Sequence, residues 1–205
     1  MKTFVLASVV IAAVLAQPAR AQSVTSDAIL RKLEARPAAT RGLTRPLGPQ
    51  PAVAPALKPE DRALLQTLSP ARGLKQVERE KVAEIVETQD LPKIDIPITF
   101  DYDSDRIRPA SIPDVNELGK ALLDARLAEA RFLVNGHTDG AGSAEYNQQL
   151  SERRALAIRT YLAERFGFPP ERLIAIGYGK ERLKNAADPF AEENRRVEVV
   201  NLGKN

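Results

Sequence analysis

NGHTDGAGSAEYNQQLSERRALAIRTYLAERF, from Asn135 to Phe166, is the stretch whose reading decides the fold. Its second half has the period of one long helix. Tyr146, Leu150, Ala157, Ile158 and Tyr161 recur at spacings of three and four and share one face. At about 100° per residue, Arg154 falls on that same face, between Leu150 and Ile158, with Arg153 to its side. A guanidinium on an apolar stripe is costly unless something pairs with it. The stretch therefore calls for a partner to Arg154.

Immediately upstream, RFLVNGH reads as a short buried strand, and GHTDGAGS joins it to the helix. Gly136, Gly140 and Gly142 suit a tight, exposed loop, which sets Asp139 at the rim of a sheet. A helix folding back over its strand brings Asp139 within reach of Arg154. Two arrangements satisfy this pattern. One is a semi-buried salt bridge with no ligand. The other is a site for a zwitterion, in which the carboxylate takes an ammonium group and the guanidinium takes a carboxylate through two parallel hydrogen bonds.

Other elements extend the pattern. IDIPITFDY alternates Ile94, Ile96, Ile98 and Phe100 as a strand, and Pro97 places it at an edge or near the strand's start. A helix is expected from about Ser111 to Leu127, with Val115, Leu118, Leu122 and Leu123 as its stripe. RLIAIGYG and RRVEVVNL supply two more strands. The order β-α-β-α-β-β is that of an α/β (α+β) sandwich, with two main helices on one face of a mixed sheet. Residues 91–205 suffice for one core.

The chain before Leu91 is unlike this. Lys2, the apolar run Phe4 to Ala16 and the site Ala19-Arg20-Ala21 have the form of a secretory signal peptide over residues 1–21, with Gln22 as the new N-terminus. Residues 22–90 read as a largely disordered linker, since seven of the 15 prolines lie between Pro37 and Pro70. Short helices are expected at its ends. Ser26 caps one that carries Ile29, Leu30 and Leu33, and another runs from about Leu74 to Thr88 with Val77, Val82, Ile85 and Val86. The echo of TRGL at Thr40 and ARGL at Ala71 is too short for a repeat architecture.

Composition excludes several functions. Beyond the signal, 28 basic residues face 27 acidic ones, too even a balance for a nucleic-acid surface. ERRALAIR is interrupted by Glu152 and has no aromatic platform. Absence of cysteine excludes disulfides, thiolate metal sites, a Cys nucleophile and a lipid on cysteine. No run after the signal approaches the roughly 18 apolar residues of a membrane span. His137 is the only histidine, so neither a metal centre nor a Ser-His-Asp triad can be assembled convincingly around it, and a hydrogen-bonded loop histidine is expected. A dinucleotide loop would need glycine where Glu145 and Arg182 stand. No cofactor, no metal and no enzyme are expected.

ITFDYDSDRIRP, the GHTDGAGSAEYNQQLSERRALAIRTYL stretch, IGYG and NRRVEV resemble, in order and spacing, the OmpA-like domain, from roughly Pro92 to Leu202. The resemblance implies non-catalytic binding of peptidoglycan in a Gram-negative periplasm. It implies that Asp139 and Arg154 hold the meso-diaminopimelate of the stem peptide. Asn147 then donates a polar contact, Asp103 and Ser104 line the site, and Arg195 or Arg196 supports the loop. Better-known members carry a membrane barrel or lipid anchor, and residues 22–90 are too few and too proline-rich for an eight-stranded barrel. Association with the outer membrane would then run through a partner. The alternative is an envelope adaptor whose N-terminal helices dock a protein partner, with wall binding secondary.

Overall fold

The computed structural model describes residues 24–34, 58–68 and 73–204. The expected signal peptide and most of the proline-rich stretch lie outside the described residues. Four strands, β1 (Lys93–Ile96), β2 (Ala130–Gly136), β3 (Leu173–Gly177) and β4 (Val197–Lys204), form one mixed sheet in the order β1-β4-β2-β3. β2 and β3 are parallel, while β4 runs antiparallel to both β1 and β2. A parallel pair requires a long crossover, and α5 (Ala144–Phe166) supplies it. Ser143 caps that helix by accepting from the Tyr146 N–H at 3.2 Å, and Gly167 ends it with φ of 63°.

Alternation along the strands builds two cores. Phe132, Val134, Leu173, Val197 and Val199 face α5 and α4 (Ile112–Leu122). Leu133, Ile174, Ile176, Val200 and Leu202 face the other way. Both main helices thus cover one face, but the buried line of α5 runs through Asn147, Leu150, Ser151, Ala155, Ile158 and Leu162. Of the expected stripe only Leu150 and Ile158 are buried, Ala157 and Tyr161 are half-buried and Tyr146 is exposed. Two of the expected elements are shorter than their sequence patterns. β1 stops at Ile96, before Pro97 removes a ladder donor, and Phe100 only bridges to Ile107. α4 stops at Leu122, leaving Leu123 exposed, and Asp124 starts a separate turn by accepting from the Arg126 N–H.

The segment expected to be a linker takes part in both cores. α1 (Ser26–Leu33) buries Ile29, Leu30 and Leu33 beside α4. α2 (Pro59–Thr67) and α3 (Gln76–Thr88) cover the sheet's second face with Leu65, Val82, Ile85 and Val86. α2 had no counterpart in the sequence pattern, and Arg131 of β2 holds its end by donating to the carbonyls of Leu65 and Leu68 at 3.1 and 3.0 Å. Most of the apolar faces that an adaptor would offer a partner are spent on the chain's own cores, although Val77 of the expected α3 stripe is exposed. Residue 91 therefore does not separate linker from packed body.

Gly136 and Gly177 end the two parallel strands directly beneath α5. A Cβ on Gly136 would lie 2.2 Å from the Ser151 carbonyl oxygen, and one on Gly177 would lie 2.5 Å from the Glu152 nitrogen. Gly136 is thus a buried strand residue rather than part of an exposed loop. Its missing side chain lets the backbone of α5 sit on the sheet.

Candidate functional site

Three connections meet at the end of the sheet where β2 stops. The loop 137–143 is tied down by backbone bonds from His137 to Arg196, Thr138 to Gly179, and Gly140 to Pro189 at 3.0, 2.9 and 2.8 Å. The segment 97–108 folds back on itself, with Asp101 N–H donating to the Arg106 carbonyl and Arg108 N–H to that of Thr99. Asp103 sits at its tip with φ of 50°. The turn before β4 completes the rim with Glu192 and Arg195. Together they enclose a pocket of about 390 Å³ whose walls include Asp103, Asp139, Asn147, Arg154 and Arg195.

Arg154 and Asp139 share this pocket but do not pair with each other. The Arg154 Nε donates to the Ser104 carbonyl at 3.0 Å, and Nη2 reaches that of Asp101 at 3.5 Å. Its guanidinium lies 4.9 Å from the centre of the Phe100 ring. Among the described residues no carboxylate stands within ion-pair distance of it. Burial lowers its pKa, and Tyr146 and Asp139 act in the opposite direction. Asp139 instead accepts from Arg195 Nη1 at 2.9 Å through Oδ2, while Oδ1 accepts from the Ala141 N–H at 3.2 Å. The ligand-free salt bridge between Asp139 and Arg154, one of the two arrangements open on sequence, is therefore not the one formed.

The other expected site residues divide. Asp103 lines the pocket and accepts from the Tyr146 hydroxyl. Ser104 contributes its carbonyl to Arg154, while its hydroxyl accepts from the Arg106 N–H at 3.0 Å. Asn147 is buried, and its Nδ2 donates to the carbonyls of Ala141 and Ser143, so it braces the loop under Asp139. Arg195 supports that loop by charge. Arg196 also lines the pocket, but its guanidinium is engaged by Asp95, to which Nε donates at 2.9 Å. By ordinary hydrogen-bond geometry neither His137 ring nitrogen has a partner among the described residues, with only a weaker approach to the Arg182 backbone, so the expected well-formed loop hydrogen bond is missing. His137 stacks on Tyr178 with ring centres 5.6 Å apart, and burial, helped by the Arg196 charge, pushes its pKa down to about 3. Phe100, Tyr102, Thr138 and Arg108 also line the pocket; they lie within the quoted motifs, which gave them no role in the site.

Residues 99–196, the span that carries all of these groups, match the OmpA family. These residues form an OmpA-like domain. Outer membrane porin F of Pseudomonas aeruginosa is 36% identical to this chain over 120 residues, which cover 58% of the chain and 32% of that protein. The peptidoglycan-associated lipoprotein of the same organism is 37% identical over 102 residues, covering 49% of the chain and 58% of that protein. The chain thus spans only part of the length of these relatives. The crystal structure of the peptidoglycan-associated lipoprotein from Burkholderia pseudomallei aligns with 51% of this chain and 87% of its own, at 27% identity and a TM-score of 0.43. The OmpA-like domain belongs to a non-catalytic family. Among the described residues no helix is long and apolar enough to cross a membrane, and no cluster of His, Asp and Glu could hold a metal ion.

Proposed function

We propose that the OmpA-like domain binds peptidoglycan without cleaving it, in the periplasm of a Gram-negative envelope, by gripping the diaminopimelate of the stem peptide. One observation carries this reading. Arg154 is a half-buried guanidinium without a carboxylate partner among the described residues, facing a pocket that also holds the Asp139 carboxylate. A half-buried guanidinium held by carbonyls and a ring keeps part of its desolvation cost, and a ligand carboxylate would offset it. The far end of diaminopimelate carries both an ammonium and a carboxylate on one carbon. Arg154 takes the carboxylate, and Asp139, held by Arg195, takes the ammonium. The loop backbone braced by Asn147 and the tip at Asp103 and Ser104 shape the opening. This attachment would serve envelope integrity.

Co-sedimentation with purified diaminopimelate-type sacculi tests the reading, with Arg154→Ala and lysine-type sacculi as comparisons. A lysine stem lacks the terminal carboxylate, so binding should fall in both comparisons. Equal binding in all three would remove the support for Arg154 as the ligand's partner.

A further inference from the structure

The aromatic residues are unevenly placed. Among the described residues Phe132 and Phe168 are buried in the core, whereas Tyr102, Phe190 and Tyr146 are exposed, at 96%, 67% and 41%. Tyr102 and Tyr146 line the pocket; Phe190 does not, but it follows Pro189, whose carbonyl holds Gly140, and precedes by two residues Glu192, which lines the pocket.

These rings stand on fixed backbone. The Asn194 Nδ2 is fully buried and donates to the carbonyls of Asp188, Pro189 and Asn185, and the Phe190 N–H donates to Asp188 Oδ1 at 3.1 Å. Phe190 is thus held in water by a rigid turn, where an apolar ring gains nothing from the fold. Tyr102 occupies the turn that forces Asp103 to positive φ. The rings do not form a continuous apolar patch. Carboxylates and guanidiniums of Asp101, Arg108 and Glu192 lie on the same rim. That mixture suits a ligand with an apolar face and hydrogen-bonding edges, and a lipid chain or helix would leave the charges unmatched.

We infer that Tyr102 and Phe190 form a saccharide platform at the mouth of the pocket, stacking on the C–H faces of an amino-sugar strand while the pocket holds the attached peptide. This rests on the wall-binding reading above, which supplies a ligand whose peptide and sugars are covalently joined. Tyr146 has its hydroxyl engaged by Asp103 and contributes the inner edge of the platform.

Calorimetric titration with two probes tests it: a sugar-free diaminopimelate stem peptide and the same peptide on its disaccharide. The disaccharide-peptide should bind about tenfold tighter to the unaltered protein, equivalent to about 1.4 kcal/mol. Phe190→Ala should reduce that preference severalfold and leave affinity for the bare peptide as it was. Tyr102→Ala should also reduce the ratio of the two affinities, and Tyr102→Phe should retain it. Equal binding of both probes by the unaltered protein, or an unchanged ratio in Phe190→Ala and Tyr102→Ala, would overturn the platform and leave the peptide site standing. Failure to bind either probe would overturn both.

Discussion

Replacing Leu33 by alanine tests whether α1 belongs to the folded domain. Leu33 is completely buried, as is Ile29 one turn earlier. The Leu33 carbonyl accepts from the buried Asn201 Nδ2 at 2.7 Å, and at the other end of the helix the Ser26 N–H donates to Glu117 Oε2 at 2.8 Å. Truncating a buried leucine costs about 2–5 kcal/mol, from lost transfer energy and the cavity left behind. A domain of this size has roughly 5–15 kcal/mol in total, so the loss is a large fraction. At a urea dependence of about 1–3 kcal/mol per molar, the midpoint should fall by at least roughly 0.7 M. There is a ceiling. α1 can detach while the sheet stays folded, so the measured loss cannot exceed the free energy that docks it. Urea titration followed by circular dichroism gives the loss, and amide exchange in α1 and β2 distinguishes detachment from global unfolding. Arg31→Ala, on the exposed side of the same helix, should change stability by less than about 0.5 kcal/mol. A Leu33→Ala loss equally small, with α1 amides already exchanging freely in the unaltered protein, would refute the reasoning and return α1 to the linker.

Three further outcomes are expected. Gly136→Ala should destabilise the fold by at least about 1–3 kcal/mol, because its new methyl would collide with the backbone of α5 at Ser151; thermal melting measures this. Asp139→Asn should cost less than about 1 kcal/mol of stability, since its partner Arg195 is substantially exposed, yet weaken diaminopimelate-peptide binding at least tenfold, a difference read by melting and titration side by side. His137 has a folded pKa of about 3, so an unfolded chain accepts a proton below about 6.5 that the folded chain refuses. Its contribution to stability is complete above about 6.5 and declines towards pH 3, by at most about 1.4 kcal/mol per unit. His137→Phe should remove that component of the acid dependence while keeping the stack on Tyr178, as urea midpoints at pH 7, 5.5 and 4.5 would reveal.

Periodicity located most of the single elements, though it overran β1 and α4 and missed α2. The 100° step put Arg154 beside the buried Leu150 and Ile158 of α5, and the stripes of Ile29, Leu30 and Leu33, and of Val77, Val82, Ile85 and Val86, marked two helices that form, with Val77 alone of these left exposed. α2 escaped because it begins at Pro59 in a proline-rich run. Glycine was harder to interpret. Gly136 has the sequence character of a loop residue, and only the position of α5 reveals that backbone proximity is its role.

Sequence by itself thus determined the order of strands and helices, the residue types available for a zwitterion, and the inward direction of Arg154. These depend on local period and composition, which neighbouring residues carry. Tertiary structure decided which charges meet. Arg154 rests on carbonyls about fifty positions upstream and Asp139 on a guanidinium fifty-six positions downstream, through loops whose paths have no periodicity to read. It also decided that α1, α2 and α3 enclose the sheet. An amphipathic helix announces that it has a face to bury, and only the assembled chain determines the surface that buries it.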